Sequence, residues 1–90
     1  MQRHELPTVS VIINTLNRAS YLANTLAALK LQRYANFEVI VVNGPSEDGT
    51  DAILAAYGDS IRVARCDTAN LSASRNIGVS LSCGEIVAFL

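Results

Sequence analysis

The run Phe37-Glu38-Val39-Ile40-Val41-Val42 constrains the fold more than any other part of this chain. Its four consecutive apolar β-formers leave no polar face, so the strand reads as buried on both sides, as strands of a parallel sheet are. Helices must then cover both faces of that sheet. The polar turn Asn43-Gly44-Pro45-Ser46-Glu47-Asp48-Gly49-Thr50 follows at once and runs into a helical pattern. It lies at the carboxyl end of the sheet, where open α/β folds take their ligands.

The rest of the chain alternates in the same way. Thr8 to Asn14 reads as a first strand, carried by Val9, Val11, Ile12 and Ile13. Ser20 to Gln32 reads as a helix, with Leu22, Leu26 and Leu29 on one face. Phe37 to Val42 is the second strand. Thr50 to Tyr57 is a short helix with Thr50 or Asp48 as N-cap. Ile61 to Arg65 is a third strand. Ser72 to Ser82 is a third helix, with Gly84 placed to cap its C-terminus. Glu85 to Leu90 is a fourth strand. This βαβαβαβ order predicts an α/β, doubly wound, mostly parallel sheet with right-handed crossovers and three helices.

Strand three holds Arg62 and Arg65 and is therefore expected at an edge, which a sheet order of 3-2-1-4 satisfies. The same order puts strand four at the other edge, yet Ile86-Val87-Ala88-Phe89-Leu90 is wholly apolar. It reads as an internal strand whose neighbour lies outside these residues. The chain is thus expected to be part of a larger domain, truncated after strand four. The alternative is a strand covered by a partner subunit, as in a homodimer formed through the strand-four edge.

Ninety residues make one domain, expected to bury roughly 60–65% of the surface of its unfolded form. Half of the residues are apolar and the net charge is −1, with seven scattered basic residues, which excludes a disordered chain and a nucleic-acid partner. No apolar run approaches the roughly 20 residues of a membrane span. The polar start Met1-Gln2-Arg3-His4-Glu5 has no signal-peptide core, so residues 1–7 read as a flexible tail and the location as cytoplasmic, with membrane association of the complete protein as the alternative. Cys66 and Cys83 have no metal-ligand spacing, and His4 stands alone.

The loops at the carboxyl ends of the strands are rich in hydrogen-bonding groups. The first carries Asn14, Thr15, Asn17 and Arg18; the second Asn43, Ser46, Glu47 and Asp48; the third Asp67, Thr68 and Asn70. Thr15, Asn17, Ser46 and Asp48 are equally typical of caps and turns, so each has a structural role open to it. Three such loops on one rim outline a nucleotide-sized crevice. The first loop has no glycine, which excludes both the dinucleotide fingerprint and the P-loop. Asn14 stands where a phosphoacceptor domain needs acids, and no Gly-x-Ser-x-Gly elbow is present.

Four segments then carry a family resemblance over nearly the whole chain. Val9-Ser10-Val11-Ile12-Ile13-Asn14-Thr15-Leu16-Asn17-Arg18 is similar to V-S-V-I-I-P-T-Y-N-R. Phe37 to Val42 followed by Ser46-Glu47-Asp48-Gly49-Thr50 is similar to F-E-I-I-V-V-D-D-G-S-x-D-G-T. Ser74-Arg75-Asn76-Ile77-Gly78 is similar to A-R-N-x-G, and Gly84 to Leu90 to G-E-x-I-A-F-L. Together they resemble the N-terminal, Rossmann-like half of the GT-A glycosyltransferases, specifically the inverting family 2. Asn43-Gly44 replaces the family's Asp-Asp, and Leu16 replaces its loop aromatic, which leaves the nucleotide open.

The resemblance implies that residues 8–90 form part of a nucleotide-sugar-binding domain. The complete protein would be a glycosyltransferase that moves a sugar from a nucleoside-diphosphate donor to an acceptor hydroxyl. The implied nucleotide-binding residues are Asn14, Thr15, Leu16, Asn17, Asn43, Ser46, Asp48 and Arg75, with the Arg75 guanidinium suited to base carbonyls or diphosphate oxygens. The family's Asp-x-Asp, which carries a divalent metal (Mg or Mn), and its catalytic base do not occur in these residues. The ninety residues alone are therefore expected to be inactive, with no catalytic residue, no cofactor of their own and no membrane segment. The other reading is a non-catalytic nucleotide-binding or self-associating module.

Overall fold

The computed structural model describes residues 8–32 and 36–90. The expected tail 1–7, with His4, and the loop residues Arg33-Tyr34-Ala35 lie outside them. Four strands, β1 (Val9–Thr15), β2 (Phe37–Asn43), β3 (Arg62–Arg65) and β4 (Ile86–Phe89), form one sheet of order β3-β2-β1-β4. Every neighbouring pair is parallel, with Val11 opposite Val39 and Ala88, and Val41 opposite Val63. The helices α1 (Ala19–Lys30), α2 (Thr50–Tyr57) and α3 (Leu71–Leu81) make the crossovers, and a short 3-10 turn, Gly58–Ser60, follows α2. The expected architecture and strand order are those observed. β1 and β2 each run one residue further than expected, so that Thr15 and Asn43 pair as the last rung of the sheet.

Period-two alternation divides the core between two layers. Val11, Ile13, Val39 and Val41 pack under Leu22 and Leu26 of α1 and Leu54 of α2. Ile12, Ile40 and Val42 pack on the other face with Cys66 and with Ala73, Ile77 and Leu81 of α3. Ile12, Ile13, Ile40, Val41 and Val42 are fully buried, each contributing about 1.5–3 kcal/mol of transfer free energy. α3 comes this close because residue 78 is glycine: a Cβ there would stand 2.6 Å from Ile12 Cγ2. Both outer strands are exposed edges. On β3 the arginines accept that position, whereas β4 leaves Ile86, Val87 and Phe89 in solvent.

Gly84 corrects one expectation. α3 ends at Leu81 with Ser82 as its C-cap, and Gly84 lies beyond, against β1. A Cβ at Gly84 would meet the Ser10 amide at 2.7 Å and the Thr8 carbonyl at 2.8 Å, so close backbone approach requires glycine there. The Gly84 amide donates to Ser10 Oγ at 2.8 Å, and Ser10 Oγ donates to Glu38 Oε2 at 2.6 Å. Glu38 also accepts from the Cys83 amide at 2.7 Å and from Arg62 Nη1 at 3.1 Å. The Ser10 hydroxyl, the Cys83 amide and Arg62 hold the Glu38 carboxyl below its ordinary value. This cluster locks three strands and the α3–β4 connection at the amino end of the sheet.

Candidate functional site

The carboxyl rim is built by the loops after β1, β2 and β3. Asn17, in the first loop, has φ 53, a left-handed backbone that asparagine tolerates better than most residues. The second loop holds it there. The Asn17 amide donates to Ser46 Oγ at 2.9 Å, and Asn17 Oδ1 accepts from the Glu47 amide at 2.7 Å. Ser46 Oγ donates to Asn43 Oδ1 at 2.8 Å, and Asn43 Nδ2 donates to Asp51 Oδ1, in the first turn of α2, at 2.8 Å. The Gly44 amide closes the pair of loops by donating to the Thr15 carbonyl at 2.8 Å.

Asp48 joins the same loops from the side. Its carboxylate accepts from the Ala19 amide at the start of α1 and from the Thr50 amide, both at 3.0 Å, and from the Thr50 hydroxyl. The hydroxyl first, and then the two amides, hold the Asp48 carboxyl below its ordinary value. Gly49 is the N-cap residue of α2, while Asp48 supplies the acceptor for its first amide. On the third loop, Asn70 caps α3 by accepting from the Ala73 amide at 2.9 Å.

Between these loops lies a cavity of about 210 Å³, with Asn14, Thr15, Leu16 and Gly44 on one side and Asn70 and Ser74 on the other. Asn14 Nδ2 donates to Ser74 Oγ at 2.6 Å, tying the end of β1 to α3. Thr15 is 5% exposed, and its Oγ1 is buried without a hydrogen-bond partner among the described residues. Buried hydroxyls are nearly always satisfied, so this one marks unused hydrogen-bonding capacity.

The structure therefore sorts the sequence-predicted residues. Asn14, Thr15 and Leu16 line the cavity. Asn17, Asn43, Ser46 and Asp48 sit beside it and bond to one another or to nearby backbone, with Asn43 only 1% exposed. Arg75 does not line the cavity; its guanidinium lies over the Phe89 ring, 5.4 Å from the centroid, at the carboxyl end of β4. Sequence reasoning missed Ser74 and Asp51. Ser74 stands at an alanine position of the matching motif, and its burial against Asn14 has no local signal. Asp51 reads simply as a first-turn acid favoured by the helix dipole.

Among the described residues no group of three His, Cys, Asp or Glu side chains could hold a metal ion, so this part of the rim offers no cation cradle. No helix among them is long and apolar enough to cross a membrane. A larger gap of about 650 Å³, apolar and away from these loops, lies between α1 and the β1–β4 side of the sheet, bordered by Val9, Tyr21, Leu29 and Leu90.

The profile described as glycosyl transferase family 2 matches residues 10–90. An uncharacterized glycosyltransferase of Rickettsia typhi is 34% identical over 84 residues, covering 93% of this chain and 26% of the relative. S. aureus TarS 1-349, solved in complex with UDP-GlcNAc, superposes with a TM-score of 0.83 at 30% identity, covering 92% of this chain and 26% of that one. The mannosyltransferase PcManGT of Pyrobaculum calidifontis, solved with GDP-Man and Mn2+, gives a TM-score of 0.77 at 27% identity over 90% of this chain and 26% of its own. The chain thus spans about a quarter of the length of these proteins.

Proposed function

Because the chain belongs to glycosyl transferase family 2, we propose that its ninety residues are the nucleotide-sugar-binding part of an inverting glycosyltransferase. The complete protein passes a sugar from a nucleoside-diphosphate donor to an acceptor hydroxyl. The observation that carries this reading is the Thr15 hydroxyl beside the cavity at the carboxyl rim, which has no partner among the described residues. The similar TarS and PcManGT structures, solved with UDP-GlcNAc and with GDP-Man, support a donor of this class.

In this proposal Asn14, Thr15 and Leu16 meet the nucleoside, Thr15 by hydrogen bond and Leu16 by apolar contact. Asn17, Asn43, Ser46 and Asp48 hold the loops that shape the wall. Arg75, a cation at the carboxyl end of β4, faces the diphosphate charge. The cavity is smaller than the ~300–1,000 Å³ of a typical ligand pocket, in keeping with a site that receives only part of the donor here. A divalent metal, which stabilises the charge developing on a leaving diphosphate, belongs to residues outside this span, as does the base that accepts the acceptor's proton. These residues bind and orient; they perform no proton transfer.

Calorimetric titration with UDP, GDP and dTDP tests the reading. Heat from one of them, reduced about three- to tenfold in affinity by Thr15→Val, is the expected result, since one hydrogen bond is worth about 0.5–1.5 kcal/mol. No heat from any nucleotide overturns it. The isolated ninety residues are expected to transfer no sugar, and turnover by them would refute the division between binding and chemistry. The exposed apolar edge of β4 favours a second reading, self-association through that strand. A clean monomer at high concentration in light scattering would eliminate it.

A further inference from the structure

We propose that Asp51 is the positioning residue of the rim, acting through Asn43 to set the polarity of the hydrogen-bond chain that shapes the nucleotide wall. The inference rests on the reading of that rim as a donor site and deepens it.

A serine hydroxyl has one proton to give. Ser46 gives its proton to Asn43 Oδ1 and accepts from the Asn17 amide. A carboxylate can only accept, so Asn43 turns its amino group toward Asp51 and its carbonyl toward Ser46. The reversed amide would set a carbonyl oxygen against the Asp51 carboxylate, acceptor against acceptor. Asp51 is thus the terminal acceptor of a one-way chain running Asn17, Ser46, Asn43, Asp51. That chain spans the loop after β1, the loop after β2 and the first turn of α2, and it holds Asn17 in its left-handed conformation. Leu16 and Gly44, between its members, are walls of the cavity.

The pairing also has a charge requirement. Asn43 is 1% exposed, so its partner relation to Asp51 is not diluted by solvent at the amide. A second carboxylate at position 43 would stand about one hydrogen-bond length from Asp51, and the two like charges would repel. A charged group beside Asp51 is Arg65 of β3, whose Nη1 is 3.9 Å from the same oxygen. Arg65 and Asp51 are both exposed, so Arg65 offsets only part of the repulsion. Exchanging the two residues keeps the chain intact: a carboxylate at 43 still accepts from Ser46, and an amide at 51 donates to it.

Thermal melting and nucleotide titration of Asn43→Asp, Asp51→Asn and the double exchange, at pH 8, decide the point. Asn43→Asp is expected to lower the melting temperature by about 5 °C and nucleotide affinity about tenfold. The double exchange is expected to restore both at pH 8. Asn43→Asp melting like the parent at pH 8, or a double exchange no better than the single one, would overturn the proposal. If the parent protein binds no nucleotide, the donor-site reading fails, and the melting series still decides the pairing.

Discussion

The two ends of the sheet carry hydrogen-bond clusters of similar make-up and opposite character. At the amino end, Glu38 accepts from Ser10, Cys83 and Arg62, and Gly84 packs closely against the Ser10 backbone and hydroxyl. At the carboxyl end, Asn43, Ser46, Asn17 and Asp48 are equally well connected, yet a cavity lies beside them and the Thr15 hydroxyl has no partner among the described residues. A dense polar cluster is therefore no sign of a site by itself. The sign is a cluster next to empty space with hydrogen-bonding capacity left over, because a purely structural cluster satisfies its members completely.

Breaking the amino-end lock should cost the most stability and leave binding intact. Gly84→Ala drives a Cβ into Ser10 and Thr8 and is expected to destabilise by about 3 kcal/mol in denaturant titration, with nucleotide affinity of the folded fraction unchanged. Next in size is Glu38→Ala, which leaves the Cys83 amide, Ser10 and Arg62 without their common acceptor and should cost about 2 kcal/mol. Because the folded Glu38 carboxyl lies below its ordinary value of 4.5, its contribution is complete above that pH and is lost as pH falls through the folded value. Melting temperature against pH should therefore fall less steeply below about pH 4.5 in Glu38→Gln than in the parent. The smallest stability effect belongs to the rim. Thr15→Val removes a buried, unpartnered hydroxyl and should stabilise by up to about 1 kcal/mol while weakening nucleotide binding. A loss of stability there would erase the contrast between the two ends.

Much of the fold was legible because its strands are unambiguous. Val39 to Val42 and Val11 to Ile13 are apolar on both faces, and only a parallel sheet between helix layers buries such strands. Arg62 and Arg65 marked β3 as an edge for the same reason in reverse. Gly84 was misread because a glycine two residues beyond a helix has the spacing of a C-cap; its actual constraint, the Ser10 and Thr8 backbone, lies far away in sequence. Gly78 shows the same limit: it belongs to a recognisable motif, and its service is to let α3 reach Ile12. The rim was legible as a set of loops, and its internal assignment was not. Whether Asn43 faces a ligand or Asp51 depends on a contact between a strand end and the next helix's first turn, which no local pattern encodes.

By itself the sequence determined the α/β class, the strand order and the rim on which polar loops converge, since hydrophobic period and turn chemistry are local properties written in consecutive residues. Only the tertiary structure decided which of those polar residues satisfy one another and which, among the described residues, is left with a hydroxyl without a partner. Hydrogen-bond satisfaction is settled by distances across elements, and Thr15 differs from Ser46 in its neighbours in space rather than in its neighbours in the chain.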